Sequence, residues 1–186
     1  MPAGSALNDD AERGDTAAVR PWAVLDIDGV LADVRHRLPH LRPRRAGREG
    51  RADWNAFFAH AADDPLLPEG AAVAMRLVVD HDLVYVSGRP ERLRQTTEAW
   101  LNAHGLPRGA VVLRGESDRR PARVVKREIL LRLARERPVA IVVDDDVEVV
   151  AALESAGFPV LRADWALPEG NDRSRLRSAQ EREGRS

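Results

Sequence analysis

Hydrophobic residues between positions 20 and 165 occur in short β-branched runs that alternate with longer segments of helical spacing. Strands and helices in alternation are typical of a parallel sheet that is covered by helices on both faces. The pattern therefore predicts an α/β fold, a three-layer αβα sandwich with a central parallel sheet. The predicted strands span residues 22–25, 83–86, 110–113, 139–143 and 159–161, and the predicted helices span residues 69–79, 91–103, 123–135 and 147–155.

One insertion does not follow this pattern. Residues 35–65 separate the first strand from the first covering helix, and they contain arginines at positions 42, 44, 45, 48 and 51. A short helix is predicted over residues 53–62, where the spacing of Trp54, Phe57 and Phe58 favours packing within the insert over a platform for stacking bases. Basic runs are usually only solvated, but this one lies where it could meet a phosphate-rich substrate. We expect a minimal cap, too small for a full lid.

Composition limits the domain count and the setting. The chain has 186 residues, 44% of them hydrophobic and 32% charged, which is enough for one packed domain. We expect this domain over residues 20–169, with disordered tails over residues 1–19 and 170–186. No apolar run approaches the roughly 20 residues of a membrane span, and no secretory signal is recognisable. These features predict a soluble, cytoplasmic protein with no membrane partner. The net charge of −1 excludes a global electrostatic attraction to nucleic acid. The absence of cysteine excludes thiolate chemistry.

Charged and hydroxyl side chains follow the predicted strands at the point where each strand ends. Ligands of open α/β sheets bind at this edge, so these side chains should converge there. Lys126, the only lysine of the chain, lies in the first turn of the helix before the fourth strand and could reach the same edge. The strand-end residues are Asp26 and Asp28 after the first strand, Ser87, Gly88 and Arg89 after the second, Arg114 after the third, and Asp144, Asp145 and Asp146 after the fourth.

Carboxylates packed this closely repel one another unless a cation lies among them. Oxygen ligands without His or Cys suit Mg²⁺, the usual cation where phosphate is handled. A metal ion, Lys126 and the Ser87 hydroxyl would together bind a phosphoryl group. Because no activated Ser or Cys is evident, one carboxylate of the Asp26 and Asp28 pair could be the nucleophile while the other handles the proton. Asp146 is expected to cap the following helix rather than bind metal.

In this order, the stretches DIDGV, VYVSGRP, Lys126 and VVDDD resemble the motifs of the haloacid dehalogenase (HAD) superfamily of phosphohydrolases, over about residues 21–165. The resemblance implies a Rossmann-like HAD sheet and hydrolysis of a phosphomonoester through an aspartyl-phosphate, with Mg²⁺ as cofactor. It implies that Asp26 is the nucleophile, that Asp28 is the general acid/base and that Lys126 offsets negative charge. The implied phosphate-binding residues are Ser87 and Gly88, and the implied metal ligands are Asp26, Asp28 (through its carbonyl), Asp144 and Asp145.

In finer detail, the chain is similar to the 3′-phosphatase domain of phage-type polynucleotide kinase. This similarity implies that Arg89 and Arg120 bind the substrate, and that the substrate is the phosphorylated 3′ end of a nucleic acid. A nucleotide or another small phosphoester is the alternative substrate. The alternatives of another class are a phospho-acceptor domain of receiver type and a non-catalytic scaffold. The stretches that carry the similarity are Ser87-Gly88-Arg89, Asp118 and Arg120 ahead of Val124-Val125-Lys126, and Asp144-Asp145 with Val149-Val150.

Overall fold

Five parallel strands form one sheet in the computed structural model of the protein, which describes residues 19–41 and 53–165. The strands are β1 (Trp22–Leu25), β2 (Asp82–Pro90), β3 (Gly109–Arg114), β4 (Val139–Asp144) and β5 (Val160–Arg162). Their order is β3-β2-β1-β4-β5, and it reverses between β1 and β4, where open α/β sheets bind ligands. Receiver-type sheets have the order 2-1-3-4-5 instead, so the topology argues against the receiver alternative.

Helices cover both faces of the sheet, as the sequence predicts. Successive side chains of a strand point to opposite faces. Ala23 and Leu25 of β1 therefore pack on one side of the sheet, whereas Trp22 and Val24 pack on the other. The first side is covered by α2 (Pro68–Leu77) and α3 (Arg94–Ala103), and the second by α4 (Ala122–Glu136) and α5 (Val147–Ser155). The three-layer αβα sandwich is confirmed.

The insert after β1 has a small hydrophobic core of its own. It contains the 3-10 helix Arg35–Leu41, the helix α1 (Trp54–Ala59) and the 3-10 helix Ala61–Asp63. An antiparallel bridge between Ala32 and Leu66 joins its two ends. The aromatic residues Trp54, Phe57 and Phe58 are all buried in this core, which confirms their predicted packing role. The members of this core are Val34, Leu38, Leu41, Trp54, Phe57, Phe58 and Leu67.

Strand β2 is longer than the sequence predicts, since it continues from Val86 to Pro90. The pairing of β2 with β3 is irregular there: Ser87 lies opposite Leu113, and the next paired position is Pro90 opposite Arg114. The extra residues on β2 form a bulge, which turns Gly88 and Arg89 out of the regular ladder. A bulge leaves no hydrophobic signature in a sequence, so the predicted strand ends at residue 86, whereas the observed strand continues to Pro90.

The helix α2 packs directly against the loop that follows β1. A Cβ atom on Gly70 would lie 1.9 Å from the carbonyl oxygen of Val30, so only glycine allows this approach. The indole N–H of Trp165 donates to the same oxygen at 3.0 Å. The loop after β1 is thus held by backbone contact on one side and by a hydrogen bond on the other.

Some predictions fall outside the described residues. These are the arginine cluster of the insert, nearly all of the N-terminal tail and the whole C-terminal tail, so their roles stay predictions. Within the described ranges, no helix has the length and apolar character needed to cross a membrane.

Candidate active site

The carboxyl edge of the sheet brings together the acidic residues that the sequence singles out. Asp26 directly follows β1, and its backbone N–H donates to the carbonyl of Val143 at 2.9 Å, which extends the pairing between β1 and β4. Asp144 is the last residue of β4, and Asp145 follows it. One oxygen from each of Asp26, Asp144 and Asp145 lies within 4.8 Å of the others, and all three residues are buried. We refer to them as the carboxylate cluster.

Lys126 connects the two strand ends. Its Nζ atom lies 2.7 Å from Oδ2 of Asp26 and 2.7 Å from Oδ2 of Asp144. Burial alone would lower the pKa of this lysine, but the charges of Asp144 and Asp26 outweigh burial and raise it. The side chain therefore stays protonated and offsets negative charge on Asp26 and Asp144, while its catalytic role stays a prediction.

The charge balance of the carboxylate cluster favours a bound cation. Lys126 contacts two of the three buried carboxylates, and the three carboxylates repel one another when they are ionised. Burial raises the pKa of Asp26 to about 7, even though Lys126 opposes the shift. Burial also raises the pKa of Asp144 and raises that of Asp145 well above its ordinary value. A divalent cation would remove this cost, and an all-oxygen ligand set fits Mg²⁺.

Gly29 permits the close approach of Asp145 to the loop after β1. Its φ of +86° lies in the left-handed region, and a Cβ atom on it would lie 2.5 Å from Oδ2 of Asp145. The turn is closed by the Gly29 N–H, which donates to the carbonyl of Ala32 at 2.9 Å. The glycine of the DIDGV stretch therefore serves both the turn and the packing of the carboxylate cluster.

Asp28 lies in a different environment from Asp26. Its Oδ1 accepts three hydrogen bonds, from Nη2 of Arg37 at 3.0 Å and from Nε and Nη2 of Arg89 at 2.9 and 2.6 Å. Burial alone would raise the pKa of Asp28, but the charges of Arg89 and Arg37 lower it to about 2. The buried Oδ2 has no hydrogen-bond partner among the described residues. The two carboxylate oxygens of Asp28 therefore differ: Oδ1 is fixed by the arginines, and Oδ2 is not bonded to either of them.

Ser87 and Asp146 have local roles that match their predicted positions. Ser87 is buried at the bulge of β2, where its Oγ accepts the N–H of Arg89 at 3.2 Å. The Ser87 hydroxyl can still donate its proton to an acceptor such as a phosphoryl oxygen. The phosphate-binding roles of Ser87 and Gly88 stay predictions. Asp146 accepts the N–H groups of Glu148 and Val149 and so caps α5, which confirms the capping prediction.

Two predicted substrate-binding arginines have carboxylate partners. Arg89 is buried and binds Asp28 and Asp64 rather than facing open solvent. Arg120 is exposed and pairs with Asp118 and Glu128, at 2.7 and 2.6 Å. Its hydrogen bonds lower the pKa of Asp118 to about 2. The side chains of Arg89 and Arg120 form ion pairs with protein carboxylates. Direct contact of either arginine with substrate stays a prediction.

Three residues of the insert were missed by the sequence reasoning. Arg37 and Asp64 are buried and lie against the Asp28 side of the site, and His36 pairs with Asp64 at 2.8 Å. No metal-ligand spacing marks His36 in the sequence. Arg37 is one of many arginines in the insert, and Asp64 precedes a proline in a loop, so no periodic signal marks either residue.

Comparisons with known proteins agree with this geometry. Residues 21–165 match the family described as the polynucleotide kinase PNKP phosphatase domain. The chain belongs to this family. It is therefore a HAD-type phosphatase, a hydrolase of phosphoric monoesters. A search of the curated proteins finds no significant match.

Solved structures share the fold at low sequence identity. A chain in the structure of the Pnkp1/Rnl/Hen1 complex aligns with a TM-score of 0.63 at 21% identity, over 78% of this phosphatase and 46% of that chain. A putative beta-phosphoglucomutase from Thermotoga maritima aligns with a TM-score of 0.51 at 17% identity, over 87% and 92% of the two chains. A haloacid dehalogenase-like hydrolase from Streptococcus pneumoniae aligns with a TM-score of 0.54 at 12% identity, over 88% of this phosphatase and 91% of that chain. The phosphatase thus spans about half the length of the chain in the Pnkp1 complex.

Proposed function

We propose that the protein is a Mg²⁺-dependent phosphatase that acts through an aspartyl-phosphate on the 3′-phosphorylated end of a nucleic acid. The observation that carries the chemical part is the contact of Lys126 with both Asp26 and Asp144 inside the carboxylate cluster. This contact supports the proposal because it sets a fixed cation between two carboxylates at one strand edge, of which Asp26 would be the nucleophile and both would hold the metal. Mg²⁺, held by Asp26, Asp144 and Asp145, would supply charge neutralisation for the phosphoryl oxygens.

In the first step, a carboxylate oxygen of Asp26 attacks phosphorus and the bond to the leaving oxygen breaks. The leaving oxygen takes a proton, and Oδ2 of Asp28 is the free oxygen that can deliver it. With a pKa of about 2, set by Arg89 and Arg37 against burial, Asp28 is ionised in the free protein. The negative charge of a bound phosphoryl group would raise this pKa and favour the protonated form.

In the second step, water attacks the phosphorus of the aspartyl-phosphate. Asp28 takes a proton from this water, the phosphorus–oxygen bond to Asp26 breaks, and inorganic phosphate leaves. The Asp26 carboxylate is regenerated. Lys126 stays protonated throughout and offsets the charge on Asp26 in both steps.

A shallow cleft beside the active site supports the nucleic-acid substrate. It lies between the end of β2 and the segment after β3, and Gly88 of the second motif is among its lining residues. Its arginines could bind backbone phosphates, and a cap as small as this insert leaves the site accessible to a large substrate. The lining residues are Phe58, Gly88, Pro90, Arg92, Arg114, Gly115, Glu116, Asp118 and Arg119.

The acidic residues of the same cleft favour a second candidate, a small phosphoester. Glu116 pairs with Arg92 at 2.7 Å, and Asp118 pairs with Arg120 at 2.7 Å. These pairs reduce the positive charge that would attract a polyanion. A substrate with a single phosphate would need only the site around Asp26.

The test is phosphate release, with Mg²⁺ and with chelator, from a 3′-phosphorylated oligonucleotide, a 5′-phosphorylated oligonucleotide, mononucleotides and sugar phosphates. Arg119→Ala removes an exposed arginine of the cleft, and Arg135→Ala removes an exposed arginine in the last turn of α4 as the matched control. We expect preference for the 3′-phosphorylated oligonucleotide, with a KM that rises with salt and in Arg119→Ala only. Turnover of small phosphoesters alone would favour the second candidate.

A further inference from the structure

A buried ion network lies between the insert and the catalytic motif. Its centre is Asp64, whose side chain is fully buried and whose two oxygens are both occupied. Oδ1 accepts from Nε of Arg37 at 2.7 Å and lies 2.8 Å from Nε2 of His36. Oδ2 accepts from Nη2 of Arg37 and from Nη2 of Arg89, each at 2.7 Å. Asp64 thus binds three side chains from two separate parts of the fold.

The same two arginines are the ones that bind Asp28. Arg37 and Arg89 each bridge the two carboxylates, so the four side chains form a closed unit of two positive and two negative charges. Both guanidinium groups are fully buried, and the rings of Phe57 and Trp100 lie against them, at 4.3 and 5.8 Å from the guanidinium carbons. Asp64 is also held by its backbone, since its carbonyl accepts the Trp100 indole N–H at 2.9 Å. If either arginine side chain rotated away, a buried charge would be left without its ion-pair partner.

This arrangement fixes which oxygen of Asp28 can react. Both arginines converge on Oδ1, and Oδ2 remains without a partner among the described residues. Rotation of the Asp28 carboxylate would break three hydrogen bonds to charged donors. The side chain of Asp64 bonds to His36, Arg37 and Arg89, so its influence on Asp28 passes through the two arginines.

We propose that Asp64 is a positioning residue that holds Arg37 and Arg89 in place, so that Asp28 presents Oδ2 to the leaving oxygen of the substrate. The inference rests on the proposed function, because it concerns the acid/base of that reaction. It assigns a task to the insert, because the insert supplies both Asp64 and Arg37. A purely structural Asp64 would instead stabilise the insert without any preference for one kind of substrate.

The leaving group separates these two roles. The sugar alcohol at a 3′ end needs a proton as it departs, whereas 4-nitrophenolate leaves as a stable anion. Loss of acid positioning should therefore lower kcat/KM for a 3′-phosphorylated oligonucleotide, or for glycerol phosphate if only small esters are turned over, by roughly tenfold or more. The kcat/KM for 4-nitrophenyl phosphate, which reports the first step alone, should fall by less than about threefold.

The variant is Asp64→Asn, and the control is Asp33→Asn, which removes a carboxylate at the base of the same insert that pairs with the exposed Arg35. Arg37→Lys, which keeps the charge but not the fork of donors, is the second variant and should show the same selective loss if Asp64→Asn does not fold. Thermal unfolding of each variant establishes that it is folded at the assay temperature.

Selective loss in Asp64→Asn or Arg37→Lys, with both substrates unaffected by Asp33→Asn, supports the inference. Equal loss on the two substrates, or no loss on either, overturns it and leaves the proposed function standing. If the unsubstituted protein releases no phosphate from any substrate with Mg²⁺, the proposed function fails, and the inference fails with it.

Discussion

Lys126 of α4 and Asp26 at the end of β1 are 100 residues apart in the chain, yet Nζ of the lysine lies 2.7 Å from Oδ2 of the aspartate. The same ammonium group contacts Asp144 at the end of β4. The helix therefore closes the active site by placing its charge between two strand ends. Removal of that charge should affect both catalysis and folding.

Lys126→Met should abolish turnover and destabilise the protein measured without metal. The substitution keeps much of the side-chain volume but leaves buried carboxylates without their cation, a loss of about 3–5 kcal/mol in other proteins. The measurement is urea unfolding in chelator, with Arg127→Met as the control at an exposed neighbouring position of α4. A variant as stable as the control would contradict the role of Lys126 in charge balance.

The stability of the metal-free protein should fall as the pH rises from about 4 to about 8. Burial raises the pKa of Asp26 from 3.8 to about 7, so the folded state binds more protons than the unfolded state between these values. This contribution is complete below pH 3.8 and is lost as the pH rises through about 7. Asp144 and Asp145 shift in the same direction because of burial, which adds to the slope.

Asp28 gives the opposite slope, but in a lower pH range. Its pKa is lowered to about 2 by Arg89 and Arg37 against burial, so its contribution is lost only below pH 3.8. Urea unfolding at pH 5 and pH 8 in chelator measures the net effect, expected to be a few kcal/mol at most. Asp26→Asn should show a weaker dependence, and saturating Mg²⁺ should reduce the dependence of the unsubstituted protein. A free energy of unfolding that stays level or rises with pH in chelator would contradict the prediction that ionisation of the carboxylate cluster destabilises the metal-free protein.

Gly29→Ala should weaken Mg²⁺ binding as well as stability. The new Cβ would lie 2.5 Å from Oδ2 of Asp145, and the φ of +86° strains any residue other than glycine. Gly157→Ala is the matched control, since Gly157 has the same φ of +86° and no atom lies within 4 Å of its added Cβ. Both variants should lose about 1 kcal/mol of folding free energy from the backbone. Only Gly29→Ala should show weaker Mg²⁺ binding by isothermal titration calorimetry, and equal binding in the two variants would be evidence against the Asp145 contact.

The strand-end residues could be predicted from the sequence because they follow from local signals and one topological rule. A short apolar run identifies β1. Ligand binding at the carboxyl ends of parallel strands brings Asp26, Asp144 and Lys126 together. The alternation of strands and helices along the chain likewise predicts helices on both faces of the sheet. These features need no knowledge of how distant loops fold.

The Asp28 side of the site could not be predicted in the same way. Arg37 and Asp64 lie at the two ends of an insert without periodicity, and they meet only because Ala32 pairs with Leu66 at its base. The bulge that turns Arg89 inward is equally silent in the sequence, so its ion pairs with Asp28 and Asp64 were not predicted, while its binding of substrate stays a prediction. Long-range ion pairs in an arginine-rich loop leave no pattern that distinguishes them from solvated charges.

The central claim is that Asp26 is the nucleophile of a phosphatase, and phosphate release by Asp26→Asn tests it most directly. The substitution is nearly isosteric and leaves the ion pair of Lys126 with Asp144 in place, so the variant should remain folded. With Mg²⁺ and the substrate that the unsubstituted protein prefers, we expect release at the background level from the variant and multiple turnovers from the unsubstituted protein. Release by Asp26→Asn at the rate of the unsubstituted protein would contradict the account.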